Sequence, residues 1–205
     1  MTIIGIDMSK NSPGVCIRRD SSLQFLSFLR GKDSGKIASH YKTLREADVE
    51  LNFYEHNQPS GMEYSDSEVW KALDASRYAE WIVSHLPQEV DFVGIEGFSY
   101  GSAGNSFIDI VGYGYAVRMA IIKKYGTEKF SVFSPGNVKK TAGKGNANKE
   151  AMMQFFLDSK IEELRDCNFW KGLKEESIDK AKKPVDDLCD SFWVQECAKD
   201  FFLKK

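Results

Sequence analysis

No stretch of this chain approaches the roughly 18 consecutive apolar residues of a membrane-spanning helix. Its first residues also lack the basic region and apolar core of a signal peptide. Both absences argue against a membrane role and favour a reducing cytoplasm, whether a cell's own or that of a host. The four cysteines, Cys16, Cys167, Cys189 and Cys197, contain no CxxC pair and no zinc-ligand spacing, so they read as reduced thiols. His40, His56 and His85 are not spaced as a metal set. Net charge is small, at −2, which withholds any global signature of nucleic-acid binding and leaves local charge to decide. Internal repeats, low-complexity tracts and an interdomain linker are missing too, and 205 residues suit one domain spanning 1–205.

What is present is a set of acids at the ends of ordered segments. Asp7 closes the apolar run Thr2-Ile3-Ile4-Gly5-Ile6, and Glu96 closes Phe92-Val93-Gly94-Ile95. In both, an apolar-Gly-apolar-acid string sets a carboxylate at the solvent edge of a buried strand. Asp186, Asp187 and Asp190 open a C-terminal segment of helical periodicity whose stripe is Val185, Leu188, Cys189 and Phe192. Helical neighbours lie three or four apart, so Asp190 pairs with either Asp187 or Asp186 on this ground alone. Gathered by folding, these carboxylates would repel one another unless hard cations such as Mg²⁺ neutralised them. That chemistry points to metal-assisted phosphoryl transfer.

The patterning predicts strands over Ile3–Asp7, Gly14–Arg19 and Leu23–Arg30, joined by short turns. A capping-box string, Ser65-Asp66-Ser67-Glu68, opens a helix to about Leu86 with Val69, Trp70, Leu73, Ala79, Trp81 and Ile82 as its apolar stripe. A strand ending at Glu96, a helix over Ser106–Tyr125, a strand over Phe130–Ser134 and a helix over Ala147–Asp158 capped by Asn146 follow. Pro184 suits the first turn of a last helix reaching about Phe202. Residues 31–65 and 159–183 resist assignment. Hairpin strands followed by alternating strands and helices give an α/β, ribonuclease H-like fold, a mixed central sheet flanked by helices.

Basic charge is concentrated locally. Between Lys123 and Lys149 there are seven lysines against Glu128 alone, centred on a Gly-rich loop from Ser134 to Asn146 that carries Lys139, Lys140 and Lys144. Beside a carboxylate cluster, such a loop fits a phosphodiester held by phosphate contacts. Phe98 and Tyr100, just beyond Glu96, are candidates for stacking on exposed bases. Ile108, Val111, Tyr115 and Met119 recur at helical spacing and form a candidate subunit interface.

In order along the chain, Gly5-Ile6-Asp7, Ile95-Glu96-Gly97, the Pro135–Lys149 segment and Asp186-Asp187-Leu188-Cys189-Asp190 resemble the RuvC-like Holliday-junction resolvases, particularly the compact versions of bacteriophages and other large DNA viruses. The resemblance implies a homodimer that resolves four-way or branched DNA by paired nicks. It also implies two Mg²⁺ or Mn²⁺ ions per active site, held by Asp7, Glu96, Asp187 and Asp190, with Asp186 the alternative to Asp187. Lys139 and Lys149 match its phosphate-facing basic positions. Another ribonuclease H-like nuclease, acting on flaps, RNA–DNA hybrids or packaging intermediates, is the nearest alternative. An actin-like nucleotide-binding protein is a second, but the second Gly-rich phosphate loop it requires is not evident.

Overall fold

Alternation along the strands decides which helix layer each residue meets. The computed structural model describes residues 1–98 and 105–205. Six strands form one sheet in the order β4-β3-β2-β1-β5-β6. They are β1 (Thr2–Asp7), β2 (Gly14–Arg19), β3 (Ser22–Arg30), β4 (Val49–Tyr54), β5 (Phe92–Glu96) and β6 (Phe130–Phe133). The pairs β1–β2 and β2–β3 are antiparallel, whereas β3–β4, β1–β5 and β5–β6 are parallel. The C-terminal ends of β1, β3, β4, β5 and β6 therefore share one edge of the sheet. Asp7 and Glu96 end adjacent parallel strands there.

Successive side chains on a strand point to opposite faces. Ile4 and Ile6 of β1, with Val93 and Ile95 of β5, pack beneath α2 (Tyr64–Ser84) and α3 (Asn105–Tyr125). Ile3 and Phe92 pack on the other face with α8 (Val185–Phe202). By the same parity Asp7 and Glu96 belong to the α8 side. Two glycines with that parity, Gly5 and Gly94, are direct neighbours in the β1–β5 register. They make a trough in which α8 lies against bare backbone. A Cβ on Gly5 would stand 2.5 Å from Gln195 Cα and closer still to Gln195 N and Ser191 O, and one on Gly94 would stand 2.8 Å from Ala198 Cβ. Gly14, paired with Asp7, gives the first turn of α8 the same clearance, its added Cβ falling 2.8 Å from Leu188 N.

Buried Arg18 on β2 anchors the helix further along, donating to Glu196 at 2.5 Å and to Glu163 at 2.7 Å. The expected stripe of α8 is the one that docks, with Val185, Leu188, Cys189 and Phe192 all buried.

Several local expectations require correction. Residues 31–65 fold into a short 3-10 turn, helix α1 (Ala38–Glu46) and β4, which extends the sheet beside β3. Helix α2 starts one residue before the capping-box string, after Glu63, and no side chain caps it. Its buried face is Ala75, Tyr78, Ala79, Ile82 and Val83, leaving Val69 and Leu73 exposed. The lysine-rich segment is not all loop: Ser134 caps α4 (Pro135–Ala142) by accepting from Asn137 N, so Lys139 and Lys140 ride on a helix. Asn148 rather than Asn146 caps α5 (Lys149–Leu157), accepting from Ala151 N at 2.9 Å. Residues 159–183 supply α6 (Glu162–Asp166) and α7 (Asn168–Lys174). Pro184 is the N-cap of α8 and not part of its first turn. All four cysteines are free, and among the described residues no helix is long and apolar enough to cross a membrane.

Candidate active site

With α8 seated in the glycine trough, its first two turns meet the ends of β1 and β5. Asp7 and Glu96 line a pocket of about 200 Å³ with Met8, Gly97, Phe98, Phe107, Ile110 and Pro135. Burial drives the Asp7 carboxyl well above the ordinary carboxylate range, and the charges of Asp187, Asp190 and Glu96 push the same way. Burial also raises Glu96, opposed by its hydrogen bond with Asp7 and by the positive charge of Lys139. Asp190 is pushed up to about 7, first by burial and then by Glu96, Asp186 and Asp187. Four carboxyls from two strands and one helix are thus each made costly to ionise, first by burial and, for Asp7 and Asp190, by the acids around them as well. Such mutual repulsion is what a bound cation relieves.

Asp187 is 4% exposed, and both of its oxygens are engaged. Ser12, itself buried in the loop after β1, donates to Oδ2 at 2.5 Å, and Lys183 donates to Oδ1 at 2.5 Å. Burial still raises the Asp187 carboxyl, with Lys183 and Ser12 opposing. Asp186 behaves differently. Although burial opposes its ionisation, Lys149 at 2.8 Å and Lys183 at 2.9 Å hold it below the usual range. Asp186 is thus held by two lysines, whereas Asp187 is shared between Ser12 and Lys183 and its charge acts on Asp7.

The donor set is all oxygen, and carboxylate-rich oxygen sets suit hard divalent cations. Among the described residues, no three acidic, cysteine or histidine side chains yet converge as a preformed cage. In chemical type the residues fit Mg²⁺ or Mn²⁺.

The basic residues divide by position. Lys139 is half-buried and close enough to act on Glu96, whereas Lys140 and Lys144 are exposed. Lys149, at the start of α5, is brought to the first turn of α8 by its ion pair with Asp186. Phe98 does not project freely. Its ring occupies a notch opened by Gly114, where an added Cβ would stand 2.6 Å from the ring, and the Arg118 guanidinium lies 4.2 Å above it. Tyr100 lies outside the described residues.

Sequence reading missed Lys183 and Ser12. Lys183 stands four residues before Asp187, the spacing of a helical ion pair, so its role had a local signal. Ser12 had none, because its contact spans 175 residues.

No protein-family model matches this chain, and none of the curated proteins matches it in sequence. In fold it is similar to RuvC of T. thermophilus solved in complex with Holliday junction substrate, with a TM-score of 0.51 at 11% identity, over 100% of this chain and 95% of that one. A second structure of Thermus thermophilus RuvC aligns at 13% identity and a TM-score of 0.46, over 100% of this chain and 96% of that one. The class is thus set by fold: an α/β protein with the mixed, helix-flanked sheet of RuvC.

Proposed function

We propose that this chain is a divalent-metal-dependent endonuclease that cuts branched DNA, with four-way junctions as its substrate. The observation that carries the reading is the meeting of Asp7 and Glu96, from parallel strand ends, with Asp187 and Asp190 of α8 in one electrostatic field. The likeness in fold to a protein solved on a Holliday junction supports the choice of substrate. Cations held by these four carboxylates would supply Lewis-acid activation of water and neutralise charge on the leaving oxygen. The chain's own residues do the rest. Ser12 fixes the rotamer of Asp187, and the glycine trough fixes the height of α8 against the strand ends. Lys139 and Lys149, flanking the acids, bind backbone phosphates, with exposed Lys140 and Lys144 extending that surface. Phe98, braced by Arg118, forms a wall of the pocket beside Glu96 and excludes water on that side.

The working species is a homodimer, whose two-fold axis would match the pseudo-symmetry of a four-way junction and give paired nicks. Ile108, Tyr115 and Met119 support this assignment. They are 66%, 57% and 65% exposed, while the core face of α3 is Tyr113, Val117 and Ile121. Val111 is half-buried between the two faces. Beside them, α2 and α3 enclose a groove of about 800 Å³ whose lining includes Met119.

Asp7→Asn, Glu96→Gln, Asp187→Asn and Asp190→Asn should each abolish Mg²⁺-dependent cleavage of a synthetic junction while gel-shift binding persists. Near-normal cleavage by any of them removes that residue from the set. Sedimentation should find a dimer at micromolar protein, and a monomer that cuts flaps well and junctions poorly would overturn the junction assignment.

A further inference from the structure

We propose that Lys183 is the built-in counter-ion of the acidic site, seated on Asp187 while divalent cations are absent and leaving it when they bind. The inference rests on the metal-site reading above and adds a competitor to it. The Lys183 ammonium bridges two acids, lying 2.5 Å from Asp187 Oδ1 and 2.9 Å from Asp186 Oδ2. A cation drawing on Asp187 competes with this ammonium for the same carboxylate.

The surroundings permit the exchange without refolding. The backbone next to Lys183 is pinned, since Lys182 N donates to Asp179 O and Val185 N donates to Lys182 O. The side chain is 48% exposed, so the ammonium can swing outward on its four-carbon stem. Asp187 keeps its orientation after that departure, because Ser12 still holds Oδ2. Asp186 stays neutralised as well, since Lys149 remains at 2.8 Å. A single lysine is thus replaceable while the groups around it are fixed by other bonds.

The test follows Mg²⁺ binding to the whole protein by its rise in melting temperature, without DNA. For Lys183→Met, the Mg²⁺ concentration needed for a given rise should fall about two- to fivefold, the range expected on removing one half-exposed competing ion pair. Lys183→Arg, which keeps the charge, should stay near wild type. A Lys183→Met protein that needs as much Mg²⁺ as wild type, or more, overturns the proposal. A second measurement uses the unaltered chain, so folding of a variant is not at issue. Acylation of Lys183, read by mass spectrometry against Lys174, should be slow in metal-free protein and accelerate with saturating Mg²⁺; an unchanged rate overturns the exchange. Failure of the metal-site reading looks different: wild type and Asp190→Asn would then respond to Mg²⁺ identically.

Discussion

Replacing Gly5 by alanine should separate the fold from the site. The new methyl carbon would stand 2.5 Å from Gln195 Cα, with Gln195 N and Ser191 O closer, and all three are backbone atoms of α8 that no rotamer change can move. Carbon atoms pack at about 3.5–4.0 Å, so the helix must lift by about 1 Å or more. Overpacking of this kind costs about 1–3 kcal/mol. For a chain of this length each kcal/mol lowers the melting temperature by about 2–4 °C, giving a fall of roughly 2–12 °C. Cleavage should suffer more, because lifting α8 draws Asp187 and Asp190 away from Asp7 and Glu96. A misplacement of about 1 Å at an active site can cost on the order of 100-fold in rate. The assays are thermal denaturation and junction cleavage under saturating Mg²⁺. Wild-type melting and wild-type cleavage in Gly5→Ala would refute the close docking of α8 and the site geometry that follows from it.

The Asp190 carboxyl should favour the folded, metal-free protein as pH falls. Asp190 is raised to about 7 by burial and its acidic neighbours, so its protonated form is preferred in the folded state. The stability from that proton is fully present below the unfolded value of 3.8 and is lost as pH rises through about 7, with a slope of at most about 1.4 kcal/mol per pH unit. Asp190→Asn should flatten this dependence in urea denaturation, and an unchanged profile would contradict the assignment. Asp74 should act in the opposite sense. Although burial opposes it, the hydrogen bond from Tyr113 and the charge of Arg30 hold its carboxyl below the ordinary range, so its contribution is present above 3.8 and fades as pH falls through its lower folded value. Asp74→Asn should therefore destabilise at neutral pH and lose that penalty in acid. Lys149→Ala should flatten the salt dependence of junction affinity by a log–log slope of roughly 0.9 for each duplex phosphate it no longer neutralises, and an identical slope would return Lys149 to a purely structural partner of Asp186.

Much of the site was legible because the signals were local. Gly-Ile-Asp and Gly-Ile-Glu carry both the strand end and the parity that turns each acid towards α8, and the acids of α8 sit among the residues that dock it. Other parts hid because their determinants lie far apart. The strand Val49–Tyr54 has only one fully buried residue and sits at the sheet edge, so its hydrophobic signal is weak. Helix α4 has a single buried residue, Val138, and its glycines and lysines read as loop. The outward face of α3 was legible as an apolar stripe, but only the buried Tyr113, Val117 and Ile121 reveal that the stripe is spare.

The most direct test of the central claim is cleavage of a synthetic four-way junction beside a linear duplex of the same sequence, with and without Mg²⁺, by the wild-type chain and by Asp190→Asn. The account predicts paired nicks in the junction with 5′-phosphate ends, only in Mg²⁺ and only by wild type, and little cutting of the duplex. Equal cutting of both substrates, cutting that survives chelation of Mg²⁺, or full activity in Asp190→Asn would contradict it.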